Sequence, residues 1–350
     1  MGIPQARHPR RSPPGARHPG DADRLSLAHR KDGAPMNVLI TGAAGNLGSF
    51  LTRHLLAGTH HLKLMIHRQE LPPEIANHPN TTIYQADLGR IETLYAPCEN
   101  TDCIVHFAGR LFAPQPERFL PETNVTYVRN LVSAALAGGV GKFILISFPH
   151  VEGESRPENP ASGTLLGSPG SIHARTRLEA ERHIFAACEG AGMVPVSLRA
   201  GMIYGRGVLM IAAARRLLER RLLGVWREPT WIHLISLPDF LGCLEAAIQG
   251  SGVRGIYNLG DEAPLTLQEF LDRAAEYWGV PKPWRAPEWV FYLAAGCVEA
   301  YALLFRRASP LTRDFIKIGM ASYVSDTTRM RQELLPQLRY PSLAEGIELL

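Results

Sequence analysis

The residues of this 350-residue chain that most plainly prescribe chemistry are three glycines, Gly42, Gly45 and Gly48, in the run TGAAGNLGS. They follow a short apolar run, NVLIT, and open a stretch with helical patterning from Asn46. A glycine at a strand end permits a tight turn. A second lets backbone approach a pyrophosphate, and a third lets helix and strand pack closely, with the helix N-terminus facing the anion. Glycines alone are a weak signal; their place between an apolar strand and a helix makes it specific. The chemistry indicated is dinucleotide binding, with Asn46 and Leu47 at the helix start. The second apolar run, LKLMI, bears on which dinucleotide. NAD-binding chains usually carry a carboxylate there for the ribose 2′-hydroxyl, whereas this chain continues His67-Arg68-Gln69 and reaches Glu70 only later. A guanidinium suits a 2′-phosphate, so NADP is expected ahead of NAD unless Arg68 is merely solvated. His150 and Glu152 form a pair able to do acid/base work, or are ordinary loop residues. No metal-ligand spacing and no G-x-S-x-G nucleophile motif occurs.

The elements that would position these residues alternate regularly. NVLIT, LKLMI, TTIYQAD, DCIVHFA, KFILIS and MVPVSLR are short apolar runs separated by helical stretches, including a short helix near Ile91–Ala96, one through TYVRNLVSAALAGG, and one from about Ile172 to Ala191. Such alternation predicts βαβ units and a parallel sheet covered on both faces. After Arg199 the order loosens, and residues 287–350 read as mainly helical. The fold expected is α/β: a Rossmann-type doubly wound parallel sheet with a smaller, mostly helical C-terminal substrate part. The domains expected are 36–205 for NAD(P) binding and 206–350 for substrate, with segments near 231–258 returning to the first. Loop 149–171, rich in Pro, Gly and Ser, is long enough to suggest a functional role.

The glycine spacing, G-x-x-G-x-x-G, resembles the extended short-chain dehydrogenase/reductases, the family of nucleotide-sugar epimerases and 3β-hydroxysteroid dehydrogenases. Further resemblances follow in order over about 36–350: Asp87-Leu88, like the pair contacting adenine; DCIVHFAG (Asp102 to Gly109, with Ala108 and Gly109 lining the cofactor); the segment from Asn124 through KFILIS; LRAGMIYG; WIHLISLPD, whose His233 and Asp239 fit structural positions; and GIYNLGDEAPLTLQEF. The resemblance implies a Tyr acid/base, a Lys four residues later that holds the nicotinamide ribose, and a Ser at the end of the fifth strand. Here His173 stands at the Tyr position and Arg177 at the Lys position, with LEAER (Leu178 to Arg182) fixing the register. Phe148 falls at the Ser position, with Ser147 one place before. Arg keeps its donors for a ribose but cannot relay protons. His173 is a candidate acid/base whose proton affinity a neighbouring cation should depress, which suits a base. Its alternative is a leftover polar residue.

The function expected is a divergent NAD(P)-dependent oxidoreductase or epimerase-like protein acting on a carbinol or carbonyl carbon. The alternatives are a non-catalytic dinucleotide-binding sensor or scaffold, and a non-redox enzyme reusing the cleft. Charge excludes a nucleic-acid footprint: residues 1–35 hold seven Arg or Lys and three Asp, which accounts for the whole formal charge of +4, and the rest is neutral. Residues 1–35 lack apolar periodicity and are expected to be disordered, with Met36 a plausible true start. Five scattered cysteines indicate reduced thiols and a cytoplasmic protein. The apolar stretch 289–305 contains Glu299 and is short for a span. It reads first as a buried or groove-covering helix, and second as one resting on a membrane surface, with Arg306 and Arg307 at the headgroups. The partners expected are a small-molecule substrate and, as an option, a second copy in a homodimer.

Overall fold

A computed structural model describes residues 34–109, 115–305 and 311–350. The tail up to residue 33 and the pair Arg306-Arg307 lie outside the described residues. The apolar runs become the strands β1 (Asn37–Thr41), β2 (His61–Ile66), β3 (Thr81–Gln85), β4 (Cys103–His106), β5 (Lys142–Ser147) and β6 (Val194–Ala200). With the strand Gly255–Leu259 beside β6, they form one seven-stranded sheet in the order Gly255–Leu259, β6, β5, β4, β1, β2, β3. All its pairings are parallel.

The central strands β1, β2, β4 and β5 supply two cores, because successive side chains point to opposite faces. Val38, Ile40, Leu62, Leu64, Val105 and Ile144 pack on the face covered by helices α1 (Asn46–Leu56) and Leu237–Gln249. Leu39, Met65, Ile104, Phe143 and Leu145 pack on the other, under α2 (Tyr127–Ala137) and α3 (Ile172–Cys188). That is why these runs read as continuously apolar. The chain winds outward from β1 to β3 and then returns to place β4 on the other side of β1. Ligands of open α/β sheets bind at this reversal, outside the carboxyl ends of the strands, so the ends of β1 and β4 locate the site.

The helix expected near Ile91–Ala96 is instead a 3₁₀ turn (Ile91–Thr93) and a single α turn (Tyr95–Cys98). Within the segment 231–258, only Gly255–Leu259 enters the main sheet. Leu234–Ser236 pairs with Met202–Tyr204, Trp231–Ile232 pairs with Leu265–Thr266, and Gly224–Trp226 pairs with Trp284–Ala286. These ribbons, with helices α4 (Leu209–Glu219), α5 (Glu288–Leu304) and α6 (Arg313–Met320), build the second part. The apolar stretch forms α5 but is not buried as a whole. It packs Phe291 against Trp226 and Trp284, turns Ala295, Glu299 and Ala302 inward, and leaves its other face exposed. The inward Glu299 is held by Arg313 at 2.8 Å.

Candidate functional site

Helix α3 carries the centre of the site. Its N-terminus is capped twice: Ser171 Oγ accepts from the Ala174 amide (3.1 Å), and Asp314 Oδ1, from α6, accepts from the Ile172 amide (3.2 Å). An acid there opposes the positive end of the helix dipole. The first turns of α3 are pinned inward as well. Asn124 Nδ2 donates to Thr176 Oγ1 (3.0 Å) from a π-helical turn, Pro121–Thr126, a feature frequent at functional sites.

This anchoring places His173 and Arg177 one turn apart, both buried. Arg177 has no hydrogen bond or ion pair among the described residues, and its buried Nε is unpartnered. Its guanidinium lies at the end of β4: a Cβ on Gly109 would sit 3.3 Å from Arg177 Nη2. Burial pulls the Arg177 proton affinity down to about 10, with Glu181 acting against the shift. A buried cation without a partner is costly, so the position calls for an external acceptor. His173 is pulled down to about 4 by burial, with Arg177 and His150 adding to the effect. No group among the described residues hydrogen-bonds its ring. At the end of β4, His106 Nδ1 lies 2.7 Å from Thr41 Oγ1 while its Nε2 is buried with no partner among the described residues. Burial, then Arg177, brings His106 to about 3. Asn124 Oδ1 and Ser147 Oγ are also buried without partners among the described residues. Buried polar groups are normally satisfied, so this clustering around β4, β5 and α3 makes it the candidate site for a polar ligand.

The structure does not bring His150 and Glu152 together as an acid/base pair. Glu152 is spent on structure. It ion-pairs with the fully buried Arg199 and accepts from the backbone of Ser162, Gly163 and Thr164. Arg199 also binds Glu181, Nη2 to Oε2 at 2.5 Å. Loop 149–171 is thereby tied to β6 and α3. His150 instead packs against Tyr323, ring centroids 4.3 Å apart and tilted by 49°, and burial lowers it to about 4, opposed by the Ile318 and Ala321 backbone. Phe148 occupies the wall between, its ring 5.7 Å from His173 and 5.5 Å from His150. Tyr323 and Asp314 were not marked by any sequence pattern; both arrive from more than 140 positions away in the chain. His233 and Asp239 are structural anchors, His233 Nε2 meeting the Asp261 carbonyl and Asp239 accepting from the Arg339 and Tyr340 amides.

The glycine turn is shaped for a phosphate. Gly42 has φ +73°, and a Cβ there would stand 3.0 Å from the Ala108 amide. Gly45 is the N-cap of α1, with no side-chain cap and no acid in the first turn, which leaves the leading amides of Asn46, Leu47 and Gly48 open to an anion. Gly48 is needed for packing, because its Cβ would fall 2.2 Å from the Gly42 carbonyl oxygen. The Asn46 side chain is already used, Nδ2 donating to the Gly207 carbonyl and Oδ1 accepting from the Leu209 amide; only its backbone faces the turn. Asp87 accepts from the Gly89 amide (2.9 Å) and lies 3.8 Å from His67, and the Leu88 carbonyl accepts from Asn130. Arg68 is exposed, with no ion-pair partner among the described residues. Among the described residues no cluster of His, Cys, Asp and Glu could hold a metal ion.

Comparison with known proteins gives this geometry a setting. Residues 38–260 match the profile of the NAD dependent epimerase/dehydratase family. A 2-alkyl-3-oxoalkanoate reductase of Stenotrophomonas maltophilia is 25% identical over 89% of this chain and 97% of its own length. A 3-beta-hydroxysteroid dehydrogenase of Mycolicibacterium neoaurum is 23% identical over 67% of this chain and 68% of its own. Among solved structures, the UDP-glucose 4-epimerase of Thermotoga maritima with UDP-glucose superposes with a TM-score of 0.71 at 18% identity, covering 90% of this chain and 97% of that one. That of Thermus thermophilus with NAD gives 0.69 at 21%, covering 90% and 97%.

Proposed function

The chain belongs to the NAD dependent epimerase/dehydratase family, and from that premise we propose that it is a nicotinamide-dinucleotide-dependent oxidoreductase acting at a carbinol or carbonyl carbon, with His173 carrying the proton. The observation that carries this reading is Arg177: a buried guanidinium with no partner among the described residues, one turn from His173 and against Gly109 at the sheet's reversal point. Its donors suit the hydroxyls of a nicotinamide ribose.

The residues present fit the dinucleotide. The turn from Gly42 to Gly48 would take the pyrophosphate, Asp87 and Leu88 the adenine end, Ala108, Gly109 and Asn124 the wall of the cleft, and Arg177 the ribose. When bound, the dinucleotide supplies or accepts the hydride. His173 is neutral at ordinary pH, so its free ring nitrogen can accept the proton of a carbinol during oxidation and return it in the reverse reaction. Arg177 disfavours the imidazolium, so the ring rests neutral and readily passes on the proton it takes up. Ser147 is the remaining hydroxyl near the end of β5 for a substrate oxygen. The rings of Phe148, His150 and Tyr323 make an aromatic wall. With the full-length likeness to a 2-alkyl-3-oxoalkanoate reductase, they support an apolar carbonyl compound as substrate. A single-turnover assay with bound reduced dinucleotide and a panel of 3-oxo acids, steroid ketones and nucleotide sugars tests this. Turnover of an apolar ketone is the expected result. No hydride transfer with any substrate contradicts it and favours a second reading, a binding-only sensor, for which Phe148 in place of a hydroxyl speaks.

For the cofactor, the exposed Arg68 after β2 supports NADP over NAD. NADPH should bind more tightly than NADH by about ten- to a hundredfold, the worth of one charge-assisted contact, and Arg68→Ala should remove most of the difference. Equal affinities in the unaltered protein would sink this preference.

A further inference from the structure

The outer face of α5 is apolar along its whole length. Trp289, Leu293, Cys297 and Tyr301 recur every fourth residue and are exposed, at 66%, 61% and 59% for the three large ones, and Leu304 beyond them reaches 76%. No charged residue interrupts this stripe after Glu288. Exposed apolar surface this continuous is unusual on a protein that works free in water. A second exposed stripe lies on α4 and the turn after it, formed by Leu209, Met210, Leu217 and Leu222. The two are joined structurally. After α4 the chain passes through Leu222 into the strand Gly224–Trp226, which pairs with Trp284–Ala286, and that strand leads through Pro287 into α5. Trp284, half exposed, lies over Gly224 between them and stacks on Phe291.

The charge around this surface is one-sided. Arg206, Arg215, Arg216, Arg220, Arg221 and Arg227 are all exposed, against the two acids Glu219 and Glu228 in the same stretch, of which Glu219 pairs with Arg215. Helix α4 therefore presents arginines beside leucines, and α5 presents Trp and Tyr, whose amphipathic rings favour a boundary between water and hydrocarbon. Among the described residues no helix is long and apolar enough to cross a membrane. We infer that the outer faces of α4 and α5 dock this protein flat on an anionic lipid surface. Helix α6, tied to the inner face of α5 by the Arg313–Glu299 pair, reaches the candidate cleft through Asp314 and the Ile318 and Ala321 backbone. The docking itself does not depend on the proposed chemistry.

The test is co-sedimentation of the full chain with phosphatidylcholine vesicles, with and without phosphatidylglycerol. Binding to the anionic vesicles is expected, weakening with salt, together with a blue shift of tryptophan emission. Trp289→Gln with Leu293→Gln should lower vesicle partitioning by about tenfold or more, since two side chains lose their place in the lipid. Arg216→Gln with Arg220→Gln should remove the preference for anionic lipid. All four positions are exposed, so these variants should keep the unaltered protein's thermal unfolding and dinucleotide affinity. The inference is overturned if the unaltered protein binds neither vesicle type, or if sedimentation equilibrium shows a dimer that Trp289→Gln with Leu293→Gln dissociates while vesicle binding is absent.

Discussion

Replacing His173 by alanine should slow single-turnover hydride transfer by about 10²–10⁴-fold, the usual contribution of a positioned acid or base, while dinucleotide affinity stays nearly unchanged. The split follows from geometry: Arg177 lies against Gly109 at the end of β4, whereas His173 faces Phe148 and the His150 wall. The pH profile gives a second readout. Burial and Arg177 hold His173 near 4, below its ordinary 6.5, and in the proposed reaction the neutral ring is the active base. Carbinol oxidation should therefore stay level as the pH falls from neutrality and decline only as it passes through about 4. A limb near 6.5 would place the proton on a solvated imidazole instead. The same sign governs stability. His106, His150 and His173 have folded values below 6.5, at about 3, 4 and 4, so the unfolded chain takes up the protons first. Their stabilising contribution is complete above about 6.5 and is lost as the pH falls toward 4 and below. Robust activity in His173→Ala would remove its assigned role and turn attention to His150.

Gly45→Val should reduce dinucleotide affinity by about a hundredfold or more, beyond easy detection by titration calorimetry. The backbone at Gly45 (φ −75°, ψ 168°) suits any residue, so the fold should survive. A Cβ would stand only 3.0 Å from the Gly42 carbonyl oxygen, and the branched side chain would crowd the amides that should face the pyrophosphate. Circular dichroism should be unchanged. Gly48→Ala is the contrasting case: its 2.2 Å approach to the Gly42 carbonyl oxygen makes loss of stability the expected outcome. Unchanged affinity in a folded Gly45→Val protein would refute the cofactor site at its base.

The sheet was legible because its cause is local. A strand covered on both faces must be apolar at both parities, as Leu39 between Val38 and Ile40 illustrates, and a glycine-rich turn must follow β1 if a helix is to begin against a phosphate. The register of α3 was legible for the same reason, from one contiguous run. What could not be read depends on distant partners. Glu152 looked available to His150 until Arg199, 47 residues on, was seen to claim it. Tyr323 and Asp314 reach the site only because α6 folds over the start of α3. Helix α5 is apolar nearly all round, so its pattern could not tell which face lies inward; Phe291, Ala295 and the Glu299–Arg313 pair decide it.

Arg177→Met offers the most direct test, because a ligand contact and a structural residue respond oppositely. A buried guanidinium with no partner among the described residues costs the empty protein stability, and replacing it by an apolar side chain of similar length should leave the dinucleotide-free protein as stable or more so. The same change should weaken binding of NADPH by about tenfold or more, the worth of a charged hydrogen bond. Thermal unfolding and titration calorimetry on the two proteins read both quantities. The account predicts a maintained or raised unfolding temperature with clearly lowered affinity; a destabilised protein that binds the dinucleotide as well as before would contradict it.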